Sequence, residues 1–256
     1  VAHPELIDAA EKSGCIGAYF GIESGNDQIL KSIYKPSGVK HYKKLGTLMN
    51  KYPKIFTRGF LIIGFPNETL QQVLDTINVS VEMALDWYTV QLLTPLPSTE
   101  IYDQMIQAGK AKKGELNLDG EGFTMFSVRE SERQRKIEEK NQRSNDDFIN
   151  LLNKNKDYVP NQKELSDIWF LADYEINYKP ILKQNNEHKL LKLEKFLTDV
   201  STRMTRDNPL SNYYLSIVKR KLQKKGEAIE IDKKVIEYLD KSSYWKQRFK
   251  TLDLKV

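Results

Sequence analysis

The sequence predicts an α/β fold, with parallel strands joined by crossover helices and followed by an all-helical C-terminal region. Three apolar, β-prone runs predict the sheet, at residues 15–22, 56–63 and 87–93. Helical periods lie between and around them, and strand–helix alternation is the pattern of a parallel sheet. Beyond Val128 the strand signal vanishes and only helical periods continue.

Each element has a local reason. Pro4 suits a first helical turn, Leu6, Ile7 and Ala10 share one face, and Gly14 stops that helix. After the first strand and Glu23-Ser24-Gly25, Asn26 caps a helix carrying Ile29, Leu30 and Ile33. Residues 38–52 read as a helix with Tyr42, Leu45, Leu48 and Met49 on its apolar face, ended by Pro53. The second strand is nearly continuously apolar around Arg58, as for a strand buried on both faces. Asn67 or Thr69 then starts a helix on which Leu70, Val73, Leu74, Ile77 and Val81 recur at helical spacing. The third strand leads through Pro95-Leu96-Pro97-Ser98 into a helix with Ile101, Met105 and Ile106. Residues 109–127 read as a loop with a short apolar insert, Phe123 to Phe126. The expected division is residues 1–110 as the α/β part, 111–128 as a connecting loop and 129–256 as a helical domain.

Composition narrows the function. Of 256 residues, 39% are hydrophobic and 29% charged, too apolar for a disordered chain. No run approaches the roughly 18 apolar residues of a membrane span, and no signal peptide opens the chain, so a cytoplasmic protein without membrane partners is expected. Cys15 is the only cysteine, which excludes an internal disulfide and any multi-cysteine metal centre built from this chain alone. His3, His41 and His188 are scattered, so no metal site is expected. Residues 1–128 hold 12 basic and 14 acidic side chains, and residues 129–256 hold 28 and 21. The basic excess is interleaved with acids, as on solvated helix faces. The dense run Lys219-Arg220-Lys221-Leu222-Gln223-Lys224-Lys225 before Gly226 reads as a basic helix C-terminus, and nucleic acid is not the expected partner. The aromatic residues of the second half, Trp169, Tyr174, Tyr178, Tyr213, Tyr214, Tyr238, Tyr244 and Trp245, sit mostly at helical spacing and read as core.

Three loops carry candidate chemistry, each at the C-terminal end of an expected parallel strand, where such folds place ligands. In Gly21-Ile22-Glu23-Ser24-Gly25-Asn26 a carboxylate and a hydroxyl leave the strand just before a helix. They can hydrogen-bond the vicinal hydroxyls of a ribose, or they can be a helix cap with a glycine turn. In Gly59-Phe60-Leu61-Ile62-Ile63-Gly64-Phe65-Pro66-Asn67-Glu68-Thr69 a buried strand turns into a helix, with Glu68 placed to support the turn. In Leu92-Leu93-Thr94-Pro95-Leu96-Pro97-Ser98-Thr99-Glu100 two prolines stiffen the strand exit.

In this order and at this spacing, the three loops resemble the second half of the barrel of radical S-adenosylmethionine (SAM) enzymes. The helix ending Glu11-Lys12-Ser13-Gly14-Cys15, and the stretch from Leu30 to Lys35 after the strand, are similar to members with an N-terminal cobalamin-binding domain. The resemblance implies half of a partial (β/α)6 TIM-like barrel, strands four to six, over residues 1–110. It implies that Glu23, Ser24 and Gly25 meet the SAM ribose. Backbone groups near Ile62, Gly64, Leu92 and Leu93 would then contact adenine and methionine. The implied cofactors are SAM, a [4Fe–4S] cluster whose reduced form cleaves SAM to a 5′-deoxyadenosyl radical, and cobalamin in an upstream domain. A flavodoxin or ferredoxin reductant and a small-molecule or peptide substrate complete the implied partners.

The family's cluster loop, CxxxCxxC, is absent, and the chain opens at Val1-Ala2-His3-Pro4 without a methionine. It therefore reads as an N-terminally truncated piece whose first strand has an unpaired edge. The helical second half resembles no named domain, and it differs from the small β-barrel that usually ends RNA-modifying methylthiotransferases. Two other classes remain open from sequence: a non-catalytic helical binding module on a degenerate α/β scaffold, and an iron-independent nucleotide-binding α/β enzyme.

Overall fold

The computed structural model describes residues 3–107, 148–204 and 208–256. The 109–127 loop with its apolar insert lies outside them. Three parallel strands form one sheet in the order β1-β2-β3: β1 (Gly17–Glu23), β2 (Phe56–Ile63) and β3 (Trp87–Leu92). Helices α1 (Pro4–Lys12), α2 (Asp27–Ser32), α3 (Val39–Met49), α4 (Leu70–Met83) and α5 (Glu100–Gln107) alternate with them. The result is a partial α/β barrel followed by a helical C-terminal region. That region comprises α6 (Gln162–Asp173), α7 (Glu187–Asp199), α8 (Pro209–Lys221), α9 (Lys225–Lys241) and α10 (Ser243–Thr251).

The caps follow the local chemistry. Asn26 Oδ1 accepts the N–H groups of Gln28 and Ile29, at 3.0 and 3.3 Å. Thr69 caps α4 in a capping box with Gln72, so the helix starts there rather than at Asn67. Gly14, at φ +86°, ends α1. The basic run differs from expectation. α8 stops at Lys221, α9 begins at Lys225, and Gly226 lies inside α9. The left-handed position of the turn is filled by Gln223 at φ +63°, so the glycine is not needed to stop the helix. Within the run, Lys219 and Lys224 both reach Glu194 at 2.8 Å, and Arg220 pairs with Asp232.

Strand register sorts the side chains. Tyr19, Arg58 and Trp87 stand in one row across the sheet, and Gly21, Phe60 and Thr89 form the next row on the same face. The opposite face carries Ile22, Gly59, Leu61, Ile63, Tyr88 and Val90, and is closed by helices. There the Tyr88 hydroxyl donates to the Ser80 carbonyl of α4 at 2.7 Å. Burial pushes that hydroxyl far above its usual value of 10. Gly59 is the gap between two of these side chains: a Cβ there would lie 2.7 Å from Tyr88 and 2.8 Å from Ile22.

The helical region shares one apolar core with the sheet. Phe196 of α7 stacks on Phe56 and tilts against Trp87, and Tyr178 packs edge-on to Trp87. Trp169, Tyr174, Tyr178, Tyr214 and Trp245 are buried, in the core role expected of them. A π-helical turn, Tyr174–Tyr178, brings Asn177 to the outer edge of β3. Its Oδ1 accepts the Tyr88 N–H at 2.7 Å, and its Nδ2 donates to the Tyr88 carbonyl at 2.9 Å. Trp169 Nε1 donates to the Val90 carbonyl at 2.8 Å on the same edge. Replacing Asn177 by Leu orphans a buried N–H and C=O together. The expected loss is about 2–4 kcal/mol of folding free energy, read from urea unfolding.

Asp173 lies one turn earlier, accepting from Asn177 Nδ2 at 2.7 Å, near the buried Arg58. Burial raises its pKa from 3.8 to about 7, against the lowering effects of Asn177 and Arg58. Between those values the folded chain holds a proton that the unfolded chain releases, so this group's contribution falls as pH rises from about 4 to 7. Asp173→Asn should therefore raise the melting temperature at pH 8 and flatten its decline over that interval. Equal melting shifts at pH 4 and pH 8 would exclude this assignment.

Candidate functional site

The C-terminal ends of the three parallel strands fall on one side of the sheet. At β1 the ladder slips between Gly21 and Glu23, and Glu23 takes a left-handed φ of +66°. This turn folds the carboxylate back over Gly21, where a Cβ would sit 2.8 Å from Glu23 Oε1. Gly21 is therefore the slot that receives the Glu23 side chain. Lys35 Nζ donates to the same oxygen at 3.1 Å, and both side chains remain about a quarter exposed. Among the described residues, Oε2 has no hydrogen-bond partner and is free to accept from a ligand. The charge is felt nearby: burial first, then Glu23 and Asp27, pushes the Tyr42 hydroxyl up to about 12.

Ser24 and Gly25 face inward. Thr76 Oγ1 donates to the Gln72 carbonyl at 3.1 Å, so it accepts from Ser24 Oγ at 3.2 Å and from the Gly25 N–H at 2.9 Å. Ser24 Oγ in turn accepts the Asn26 N–H at 3.1 Å, and the residue is fully buried. A Cβ at Gly25 would meet Thr76 Cα at 2.6 Å and the Asp75 carbonyl at 2.8 Å. The glycine thus clears the backbone of α4. Asn26 Nδ2 adds a bond to Asp75 at 2.8 Å.

After β2, Gly64 takes φ +89°, and its N–H donates to Glu68 Oε2 at 2.5 Å. The Phe65 N–H meets the same oxygen at 3.2 Å. Glu68 is buried and supports the turn, the role its position suggests. After β3, the Leu93 N–H donates to the Ile63 carbonyl at 2.8 Å, extending the ladder by one residue. The Gly64 and Leu93 N–H groups are thus committed within the protein. Pro95 is buried, whereas the neighbouring residues from Leu96 to Glu100 are exposed. The sheet face at this end stays partly open. Phe60, Ile62 and Gln91 are half-buried, and Gly21 is exposed. An apolar floor with a carboxylate at its rim can take a flat heterocycle bearing hydroxyl groups.

The helical region reaches this rim, which sequence alone did not reveal. Leu165 of α6 comes within 3.1 Å of a Cβ built on Gly64. The Tyr158 and Lys156 carbonyls accept the first N–H groups of α4, from Leu70 and Gln71, at 2.8 and 2.9 Å. Lys35 ends the Leu30–Lys35 stretch that carries part of the family resemblance, but sequence assigned it no role, because its meeting with Glu23 depends on the turn between them.

Cys15 points its thiol at the Gly17 carbonyl, 3.3 Å away. A single thiolate cannot hold a four-iron cluster, so the residues of this chain do not fit that group. Among the described residues no group of three or more His, Cys, Asp or Glu side chains is placed for a metal ion. Nor is any described helix long and apolar enough to cross a membrane.

The chain is similar to bacteriochlorophyllide d C-12(1)-methyltransferase of Chlorobaculum tepidum, 31% identical over 103 residues, 40% of this chain and 22% of the relative. An uncharacterized methyltransferase of Pyrococcus horikoshii is 33% identical over 109 residues, with the same two coverages. A tRNA-2-methylthio-N(6)-dimethylallyladenosine synthase of Sulfurihydrogenibium sp. is 31% identical over 90 residues, 35% of this chain and 21% of the relative. The chain thus spans about a fifth of the length of these relatives. Among solved structures, coproporphyrinogen III oxidase from Escherichia coli, described as a radical SAM enzyme, overlaps 54% of this chain and 30% of its own, at 15% identity and a TM-score of 0.36. No protein-family model matches. Over some 35–40% of its length this chain is thus similar in sequence to methyltransferases and a methylthio-transferring synthase, in keeping with the radical SAM resemblance that the three strand-end motifs carry.

The contacts of Gly25 are with α4 backbone, which cannot swing aside. Gly25→Ala should cost about 2–3 kcal/mol in chemical denaturation. If the glycine instead served only ligand clearance, stability would hold while nucleoside binding fell.

Proposed function

We propose that the open ends of β1–β3 form part of the SAM-binding mouth of a radical SAM enzyme that transfers a methyl or methylthio group. The observation that carries this reading is the Glu23 carboxylate, held at the strand end with one oxygen clamped and the other free. Glu23 accepts the two ribose hydroxyls. Ser24 and Gly25, bonded to α4, hold the loop that carries it. Phe60 and Ile62 give the adenine an apolar floor, and Gly64, Leu92 and Leu93 form its wall. Bound SAM supplies the radical chemistry of the family. The chain's own residues orient the nucleoside and keep water from its apolar side. The family's cluster would take its thiolates from outside these 256 residues, as would any cobalamin, and the electrons would come from a flavodoxin or ferredoxin. The helical region closes the sheet from below and shapes one side of the mouth, where a small-molecule or peptide substrate would approach.

The relatives' names support methyl or methylthio transfer as the reaction class. A purely helical binding module would have no need of a partly exposed carboxylate on strained backbone at the strand end. Charge-assisted hydrogen bonds to a carboxylate are worth roughly 1.5–3 kcal/mol each. In the full-length protein, Glu23→Gln should weaken SAM binding about tenfold or more by calorimetry, with little change in melting temperature. An unchanged affinity with a sharply lowered melting temperature would return Glu23 to the role of a turn support.

A further inference from the structure

We infer that Lys35 is a positioning residue for the ribose-binding carboxylate: its ammonium clamps Glu23 Oε1 over the Gly21 slot so that Oε2 faces the ligand. This rests on the reading of Glu23 given above.

Three observations carry it. First, the chain is shaped to deliver Lys35. α2 is followed by a turn in which Tyr34 adopts φ +56° while its ring stays 81% exposed, and the Lys35 N–H donates to the Leu30 carbonyl at 2.9 Å. A left-handed tyrosine whose ring packs on nothing is there for the direction of the backbone. Asp27 Oδ1 fixes the far side of the turn by accepting the Val39 N–H at 2.9 Å. Second, among the described residues Glu23 is the one acceptor the Lys35 ammonium meets, at 3.1 Å. Its other side borders an open groove of about 440 Å³ lined by Asp27, Leu30, Lys31, Tyr34 and Ser37. The ammonium is therefore held by attraction to Glu23 and not by confinement. Third, the slot admits nothing larger than glycine: a Cβ on Gly21 would lie 2.8 Å from Glu23 Oε1 and 3.3 Å from Lys35 Nζ. Strained backbone, an empty slot and a single cation all converge on one oxygen.

A clamp and a direct ligand contact predict different thermodynamics. SAM carries a carboxylate that a lysine could bind itself, and adenosine has the same ribose without it. The test is calorimetry of the full-length protein with SAM and with adenosine, for wild type, Lys35→Met, Lys35→Arg, Glu23→Gln and the Glu23→Gln/Lys35→Met double variant. Partly exposed pairs of this kind are worth up to about 1 kcal/mol, so Lys35→Met should weaken both ligands about three- to fivefold. Lys35→Arg should restore most of that loss, and the double variant should bind no worse than Glu23→Gln alone. Melting temperatures should stay close to wild type, which separates weakened binding from unfolding. A loss confined to SAM, or one that persists in the Glu23→Gln background, would make Lys35 a ligand contact and overturn the clamp. So would unchanged affinity for both ligands in Lys35→Met. If Glu23→Gln binds adenosine and SAM as wild type does, the ribose reading itself fails, whatever Lys35 does.

Discussion

The outer edge of β3 is the constraint on which the molecule depends. A strand with one strand neighbour leaves a row of N–H and C=O groups with no ladder partner, and burying them unpaired costs several kcal/mol. Here the helical region supplies the partners from side chains. Asn177 offers Tyr88 an acceptor and a donor in the arrangement of a neighbouring peptide, and Trp169 meets the next carbonyl on that edge. The π-helical turn at Tyr174–Tyr178 is part of this device. The extra residue it admits per turn lets Asn177 reach the strand while Tyr178 packs on Trp87. Among the described residues β1 has no such cover: Tyr19 is 63% and Ile16 81% exposed beside it.

That anchoring has electrostatic consequences on the sheet face that Phe196 of α7 and Tyr178 pack against. Arg58 is buried there, with Nε on Thr89 Oγ1 at 2.7 Å and its guanidinium against Phe60 and Phe196. Desolvation lowers its pKa, and the same burial raises that of Asp173. The two groups stabilise each other's charge only partly, so the lower half of this face is a closed polar layer between aromatic rings. The upper half, from Gly21 to Ile62, lacks that cover. The sheet thus divides along its strands into a plugged half and an accessible half, and Glu23 with the strand-end loops lies at the accessible one.

Much of this was legible in the sequence where a single local rule decides. β2 runs from Phe56 to Ile63 as its continuous apolar run predicts, and the Asn26 cap follows from one side chain in reach of two N–H groups. The strand-end loops were found because chain order puts them at one end of a parallel sheet. Long-range geometry was not legible. Gly25 read as part of a ribose-contacting loop or as a helix-cap glycine turn, and in the fold its missing Cβ makes room for α4, because helix approach depends on Thr76, far away in the chain. Lys35 lies in a stretch that shares the family resemblance, but its partner was not readable, because the left-handed Tyr34 turn is what brings it to Glu23. Gln223 took a position that sequence assigned to glycine, since two adjoining helices made the strain tolerable.

The same long-range contacts bring the helical region to the strand ends. The Gly64 turn is held from below by Glu68, a residue of its own loop, and from outside by Leu165, a residue of α6. The N-terminus of α4, which packs on Ser24 and Gly25, has its first two N–H groups capped by carbonyls of residues 156 and 158. Both loops that flank the strand ends therefore lean on segments from the second half of the chain. A substitution at Leu165 or in the capping segment would shift the walls of the mouth without touching Glu23. Conversely, the cation that clamps Glu23 is delivered by α2 and the turn after it. The strand ends thus join a locally encoded carboxylate to surroundings supplied from afar, so a change in the C-terminal region reaches the strand-end loops through their packing rather than through Glu23 itself.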